Sequence, residues 1–442
     1  MDFRTDIGYR KETLKKLLHS VLKNEDLIVQ ALQADFKKPA FETVLTEIYF
    51  VKSDIENAIK NIRRQARPKR VLPSILNFPS TDYIYSEPYG KVLIIAPWNY
   101  PFQLAMCPLI AAVAAGNSVV LKPSELTPNT TSILSIIIAE TFDPVHVEVF
   151  QGGPEVGHKL LQQRWDYIFF TGSVSVGKIV AKAAAEHLTP VTLELGGKNP
   201  CIIDDTANLP LAAKRIVWGK FLNAGQTCIA PDFLLVHDRI IEPFTKMLIS
   251  EIKNVYGENP KQSSDFARIV NLKNTNRLAG LLQGQQIIFG GEFDLDSNYV
   301  APTLIASPNP DSAIMSEEIF GPLLPILPWN DESDLTSIIG RYEKPLALYI
   351  FSDDTAFAKK MISDYPFGGG CINDTMIHFG NNRLPFGGIG HSGIGAYHGQ
   401  NSFDTFSHKK AIVKKANWLD IPLRYAPYNG KLAILRKLLK WF

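Results

Sequence analysis

The sequence predicts an α/β protein whose strands run mostly parallel and are joined by crossover helices. Three observations carry this. Short apolar runs alternate with helical periodicity from Gly90 to about Thr192. A second alternation begins near Glu194. The apolar runs end in glycine- or proline-bearing turns, the punctuation expected between strands and crossover helices.

The N-terminal stretch from Thr5 to about Ala66 reads as two or three helices. Leu14, Leu17, Leu18, Val21 and Leu22 recur at helical spacing, and a second set follows through Ile48, Val51, Ile55, Ala58 and Ile62. The proline-rich run from Arg67 to Ser80 cannot stay helical, and the alternating Asp82-Tyr83-Ile84-Tyr85-Ser86-Glu87-Pro88 continues it as an extended excursion.

Val92–Ile95, Ser118–Leu121, Val147–Phe150 and Tyr167–Phe170 are the candidate strands of the first sheet. Ligands gather at the carboxyl ends of such strands, so the segments that matter are Ala96-Pro97-Trp98-Asn99-Tyr100-Pro101, Lys122-Pro123-Ser124-Glu125, Gln151-Gly152-Gly153 and Thr171-Gly172-Ser173-Val174-Ser175-Val176-Gly177. The last is a glycine-bracketed strand-to-helix turn without the GxGxxG spacing. It either offers backbone N–H groups and a helix's positive end to a pyrophosphate, or is a plain structural turn. Lys122 and Glu125 carry the same two readings, a ribose or phosphate contact or a solvated side chain.

The second region opens on Val191-Thr192-Leu193-Glu194-Leu195-Gly196-Gly197-Lys198, a strand entering two glycines with a carboxylate in apolar company. Such a glutamate is either paired or desolvated, and desolvation raises its pKa toward that of a working base. Leu211–Phe221 is helix-like, Phe233–His237 a strand, Met247–Ile252 part of a helix and Tyr349–Phe351 a strand. Gly368–Asn373 reads as a turn, and the glycine-rich Leu384–Gly395 closes the region.

The 442 residues suggest two or three domains. A charged content of 20% and a net charge of +2 leave no footprint for nucleic acid. Four cysteines without a CxxC pair argue against a disulfide framework and a zinc site, and with no export signal at Met1–Gly8 they point to the cytoplasm. The basic, amphipathic Lys431–Phe442 suits packing on its own protein or a partner subunit, with peripheral membrane contact as the alternative.

Cys107, Cys201 and Cys371 have the apolar or strand-like neighbours of structural cysteines. Cys228 stands apart: it ends Asn223-Ala224-Gly225-Gln226-Thr227-Cys228, a small, polar turn after a helix, a setting that suits a nucleophile as well as a packed thiol.

Taken in order, Pro97-Trp98-Asn99, Lys122-Pro123-Ser124-Glu125, Phe170-Thr171-Gly172-Ser173, Leu193-Glu194-Leu195-Gly196-Gly197-Lys198, Gly225-Gln226-Thr227-Cys228, Glu318-Ile319-Phe320-Gly321-Pro322 and Pro385-Phe386-Gly387-Gly388 resemble the aldehyde dehydrogenase superfamily. Tyr100 after Trp98-Asn99, and Tyr397-His398-Gly399 before Phe403-Asp404-Thr405-Phe406-Ser407-His408, resemble its class 3 branch of fatty and aromatic aldehyde enzymes. The resemblance implies an aldehyde dehydrogenase-like fold: a Rossmann-type cofactor domain at 1–72 and 90–192, an α/β catalytic domain at 193–398, and a small β oligomerisation arm at 73–89 and 399–415, followed by a tail at 416–442. The arm's later strand would fall at about 402 to 415. It also implies a homodimer.

The resemblance further implies NAD(P)-dependent oxidation of a medium- or long-chain aliphatic or aromatic aldehyde to the acid. Cys228 would attack as a thiolate, Asn99 and the Cys228 backbone N–H would hold the oxyanion, and Glu194 would activate water against the thioester. Lys122 and Glu125 would hold the adenosine ribose, Gly172 and Ser173 the phosphates, and Glu318 and Phe320 the nicotinamide ribose end, with Trp98, Thr171, Gly177 and Leu195 also at the cofactor. The Glu125 charge favours NAD over NADP, although both are accepted in this branch. One departure is Val174, where the family commonly has threonine. The tail would cap the substrate entrance or touch a membrane.

Three rivals remain at this level. An acyl-transferring dehydrogenase would pass the thioester to coenzyme A or phosphate, with less need of Glu194. A thiol hydrolase would pair Cys228 with His378, His391 or His398. A non-catalytic member of the fold would lack Cys228 or Glu194, and both are present.

Overall fold

The computed structural model describes residues 4–74 and 77–441. Met1–Phe3, Phe442, and Ile75 and Leu76 of the proline-rich excursion lie outside the described residues.

The first sheet has six strands in the order Gly393–Ile394, Val191–Glu194, Tyr167–Thr171, Lys91–Ile95, Ser118–Lys122, Val147–Val149. All neighbours are parallel except Gly393–Ile394, which pairs antiparallel with the Glu194 strand. Alternation along its strands buries both faces. Val92, Ile94, Val119, Leu121 and Phe169 pack into one cluster, while Leu93, Val120, Ile168, Phe170 and Leu193 pack into another, as expected of a parallel sheet covered on two sides. The covering helix Gln103–Ala115 is buried along its whole length, consistent with its all-round apolar sequence.

The second sheet has seven strands in the order Gln286–Phe289, Thr303–Ala306, Leu323–Trp329, Phe233–His237, Pro200–Ile203, Ala347–Phe351, Gly369–Ile372. Only the first pair is antiparallel. Gly369–Ile372 is therefore a strand, not the turn its glycines suggest. The backbone explains why: a Cβ on Gly370 would collide with the Leu348 carbonyl of the neighbouring strand, and one on Gly368 with the Gly387 carbonyl, so close approach selects glycine here.

Three helices open the chain, Ile7–Lys23, Glu25–Phe36 and Tyr49–Ala66, with the short helix Ala40–Thr43 and the π-helical turn Val44–Ile48 between the last two. The excursion contributes Lys69–Val71 and Ser80–Pro88 to a three-stranded antiparallel sheet whose third strand is Ser407–Lys415. That late strand begins after residue 406, because Gln400–Thr405 is a helix rather than the start of the strand. The tail carries a helix at Lys431–Leu438 whose Leu432, Ile434, Leu435 and Leu438 are exposed. No helix of the described residues is long and apolar enough to cross a membrane.

Candidate active site

Cys228 leaves a tightly held turn. The helix Leu209–Phe221, capped by Asn208, ends in the turn Leu222–Gly225, where Asn223 and Ala224 take left-handed φ of 55° and 52°. Gly225 follows with φ +74°, and a side chain there would strike the Gly321 carbonyl. Glycine thus lets the Glu318–Pro322 segment close over the cysteine turn. Gln226 is fully buried with its amide used at both ends: Nε2 donates to the Asn223 and Arg268 carbonyls at 3.0 Å each, and Oε1 accepts from Val270 N at 3.0 Å. Downstream, Asn199 Nδ2 donates to the Cys228 carbonyl at 2.7 Å while its Oδ1 accepts from Ala347 N at 2.8 Å.

Cys228 is partly buried and opens on a cavity of about 300 Å³. Glu194, Thr171 and Leu195 reach the same cavity from the first sheet, and Thr227 lines it as well. The remaining walls are largely apolar: Leu45, Phe50, Tyr100, Leu104, Trp218, Leu222, Ile229, Met376, Phe379, Phe386 and Tyr397. Among the described residues the lining comes from Leu45 to Tyr397, and no residue of the 416–442 tail is part of it. No histidine is among those lining residues. His378 instead packs near the Cys371 sulfur, 3.5 Å from its Nδ1, and His398 stacks on Phe386, which leaves the thiol-hydrolase reading without its base.

Glu194 ends the strand Val191–Glu194, its backbone bonded on both sides: its carbonyl accepts from Gly172 N at 3.0 Å, and Gly393 is its antiparallel partner. Both carboxyl oxygens are buried without a hydrogen-bond partner. Burial pushes its pKa well above the ordinary carboxylate value, so of the two alternatives the sequence leaves open, paired or desolvated, the glutamate takes the desolvated one. Burial likewise pushes the Cys228 thiol up, helped by the nearby Glu318 and Glu194 charges.

Asn99 is buried, and its Nδ2 donates to the Gln226 carbonyl at 3.0 Å. An amide nitrogen has two hydrogens, so one remains after this bond. The Asn99 carbonyl accepts from Asn223 Nδ2 at 2.9 Å, and the Tyr100 hydroxyl meets Thr227 Oγ1 at 2.7 Å. The two loops are thereby laced together by Asn223, Gln226 and Thr227. Sequence reasoning gave no role to Asn199, Asn223 or the Gln226 side chain; the only available signal was their adjacency to the motifs.

The predicted cofactor residues gather along the carboxyl edge of the first sheet. Lys122 is buried, not solvated: its Nζ pairs with Glu125 Oε2 at 3.1 Å. Ser173 caps the helix Val174–Ala185, its side chain accepting from Val176 N, and a Cβ on Gly177 would collide with the Leu195 side chain. Trp98 and Phe320 meet edge to face at 5.2 Å. Lys198 holds the approach of Glu318, ion-paired to Asp232 and donating to the Ile314 and Glu317 carbonyls at 2.9 and 3.0 Å. Burial and the nearby Asp232 charge push Glu318 up to about 8, against the Gly197 N–H, Lys198 and Arg277. Thr171 Oγ1 and Glu318 Oε1 are buried with no partner, and a Cβ on Gly196 would fill the space in front of the Glu318 carboxyl. An edge that presents orphaned polar atoms, a buried lysine and a capped helix start fits a dinucleotide with ribose hydroxyls to satisfy and phosphates to hold.

Comparison with known proteins agrees with this geometry. The profile described as "Aldehyde dehydrogenase family" matches residues 3–412. The 4,4'-diaponeurosporen-aldehyde dehydrogenase of Staphylococcus aureus is 48% identical over 98% of this chain and 95% of its own. Aldehyde dehydrogenase family 3 member A2 of Pongo abelii is 43% identical over 98% and 90%. A solved structure described as the substrate-bound state of Staphylococcus aureus AldH superposes with a TM-score of 0.96 at 47% identity, covering 98% of this chain and 95% of that one.

Proposed function

The chain belongs to the aldehyde dehydrogenase family, alongside its class 3 members, and is an enzyme that oxidises aldehydes to acids; from that premise we propose that Cys228 is the nucleophile, Glu194 the base and Asn99 the oxyanion donor. One observation carries the assignment: Cys228 and a carboxylate with both oxygens unpartnered, Glu194, line one cavity whose other walls are largely apolar.

In this reading the thiol is not deprotonated in advance. With Glu194 and Glu318 both nearby, a free thiolate would face like charge in a desolvated setting. The proton instead passes from Sγ to ionised Glu194 as the Sγ–carbon bond forms. The carbonyl oxygen becomes an oxyanion held by the second hydrogen of Asn99 Nδ2 and by the Cys228 N–H. A nicotinamide held at the Glu318 and Phe320 end of the cofactor edge would supply the hydride acceptor, which would leave the acyl group on Sγ as a thioester. Glu194 releases the proton it took from Sγ to solvent and, ionised again, takes one from water; the resulting hydroxide adds to the thioester, and the acid departs as Glu194 returns that second proton to Sγ.

Lys122 and Glu125 would bind the adenosine ribose, Gly172, Ser173 and the backbone up to Gly177 the phosphates, and Glu318 and Phe320 the nicotinamide ribose, with Trp98, Thr171 and Leu195 around the ring. Glu125 favours NAD by repelling a 2′-phosphate. The apolar walls support a medium- or long-chain aliphatic or aromatic aldehyde, since they offer no counter-ion to a charged one. We further read the first sheet as the core of the cofactor domain, the second as that of the catalytic domain, and the three-stranded sheet as the arm of a homodimer in the cytoplasm. The exposed apolar side of Lys431–Leu438 is compatible with peripheral membrane contact.

A panel of aldehydes assayed by NADH absorbance, with NADP and coenzyme A in parallel, tests the reading. Acid formed with NAD and no coenzyme A is the expected product. A product that requires coenzyme A or phosphate would reassign the enzyme to acyl transfer.

A further inference from the structure

The N-terminal helices reach the reaction centre through two buried carboxyl groups that the chemistry above does not use. Glu42 lies in the short helix Ala40–Thr43 and Glu47 in the π-helical turn that follows. Glu42 Oε2 accepts from the backbone N–H of Asn223 at 3.0 Å, and Asn223 Nδ2 donates to the Asn99 and Gln226 carbonyls at 2.9 and 3.3 Å. Glu47 Oε2 accepts from Phe102 N and Gln103 N at 3.0 and 2.9 Å, just beyond Asn99. Its Oε1 pairs with Lys38 Nζ at 2.6 Å, and that ammonium lies 4.0 Å from the centre of the Tyr100 ring.

We propose that Glu42 is a positioning residue for the aldehyde oxidation, holding Asn223, and through it the Asn99 carboxamide, in place against Cys228, while Glu47 anchors the far end of the Asn99 segment. Two consecutive non-glycine residues in left-handed backbone, Asn223 and Ala224, persist only where their surroundings over-determine them. Glu42 supplies that constraint by satisfying the buried Asn223 N–H, which would otherwise be left unpaired. Burial raises Glu42 to about 7, but a carboxyl in either protonation state keeps an oxygen that accepts from Asn223. The role is thus one of acceptor geometry, and glutamine can fill it.

This inference rests on the assignment of Cys228 and Asn99, and the experiment separates the two. Turnover needs the oxyanion donor in register, whereas alkylation of Cys228 by iodoacetamide needs only the sulfur. Glu42→Ala is expected to lower kcat about 10- to 100-fold, with KM for NAD and the alkylation rate, mapped to Cys228 by peptide mass, within about threefold of wild type. Glu42→Gln should restore most of the lost kcat. Asn223→Gly keeps the left-handed backbone and the bonded N–H but removes Nδ2, and should reproduce the same selective loss; combined with Glu42→Ala it should add little. If Glu42→Ala does not fold, Asn223→Gly alone decides by the same criteria. Unchanged kcat in these variants, or kcat and alkylation falling in step, overturns the proposal. Wild-type enzyme that kept its turnover after full alkylation of Cys228 would instead remove the premise.

Discussion

The Asn99 side-chain amide donates to the Gln226 carbonyl at 3.0 Å, two residues before Cys228. The same bond that ties the loops together leaves one amide hydrogen for a developing oxyanion. Asn99→Ala should therefore lower kcat by about 10²- to 10³-fold, or about 2.7–4 kcal/mol of barrier, while cofactor affinity measured by fluorescence titration changes little. A kcat within twofold of wild type would remove Asn99 from the oxyanion site.

Cys228→Ala should abolish NADH formation from a medium-chain aldehyde and leave NAD binding within about threefold. The substitution removes one sulfur from a cavity wall without touching the bonds that Asn199 and Gln226 make to hold the turn. Residual turnover would show that another group attacks the carbonyl.

Glu194→Gln should let the acyl-enzyme accumulate, visible as a mass increase on Cys228. The pH dependence has a definite sign. Burial raises the Glu194 pKa, so the ionised base is lost at a higher pH than for an ordinary carboxylate, and the hydrolysis rate should fall on acidification through that raised value. Glutamine cannot titrate, so the variant's slow hydrolysis should lose this acidic limb in a single-turnover pH profile.

Stability should carry an opposite signature. Burial and the nearby Asp232 charge raise Glu318 from 4.5 to about 8. A carboxyl that binds its proton more tightly when folded contributes stability fully below its unfolded pKa, and that contribution is lost as the pH climbs through the folded value. Calorimetry should show Tm declining between about pH 4.5 and pH 8, and Glu318→Gln should flatten the decline by about 1 kcal/mol or more, a shift of a few degrees. An unaltered slope in the variant would place the titration elsewhere.

Glu125→Gln should lower KM for NADP by about fivefold, the equivalent of about 1 kcal/mol, as expected for removing one like charge from a partly exposed position. Steady-state kinetics with both nucleotides checks it, and equal effects on NAD and NADP would count against a role in discriminating the 2′-phosphate.

Much of this protein was legible before any coordinates. The strands Lys91–Ile95, Ser118–Lys122 and Tyr167–Thr171 are apolar runs buried on both faces, so residue type alone announces them. The ordered motifs named the family, which the profile over residues 3–412 bears out, and they selected Cys228, Glu194 and Lys122 as residues to examine. Gly369–Ile372 was misread because glycine signals a turn locally, whereas here it answers a neighbouring strand's carbonyls that no local pattern contains.

What the chain determined by itself is the set of elements and the chemical types at their ends, because periodicity and side-chain identity are local properties. Only the tertiary structure decided that Glu194 is unpaired rather than bridged, that the Cys228 thiol is desolvated, that Lys122 is buried against Glu125, and that Glu42 bonds a backbone N–H 181 positions away. Desolvation and hydrogen bonding depend on which surfaces meet, and those surfaces come from segments far apart along the chain.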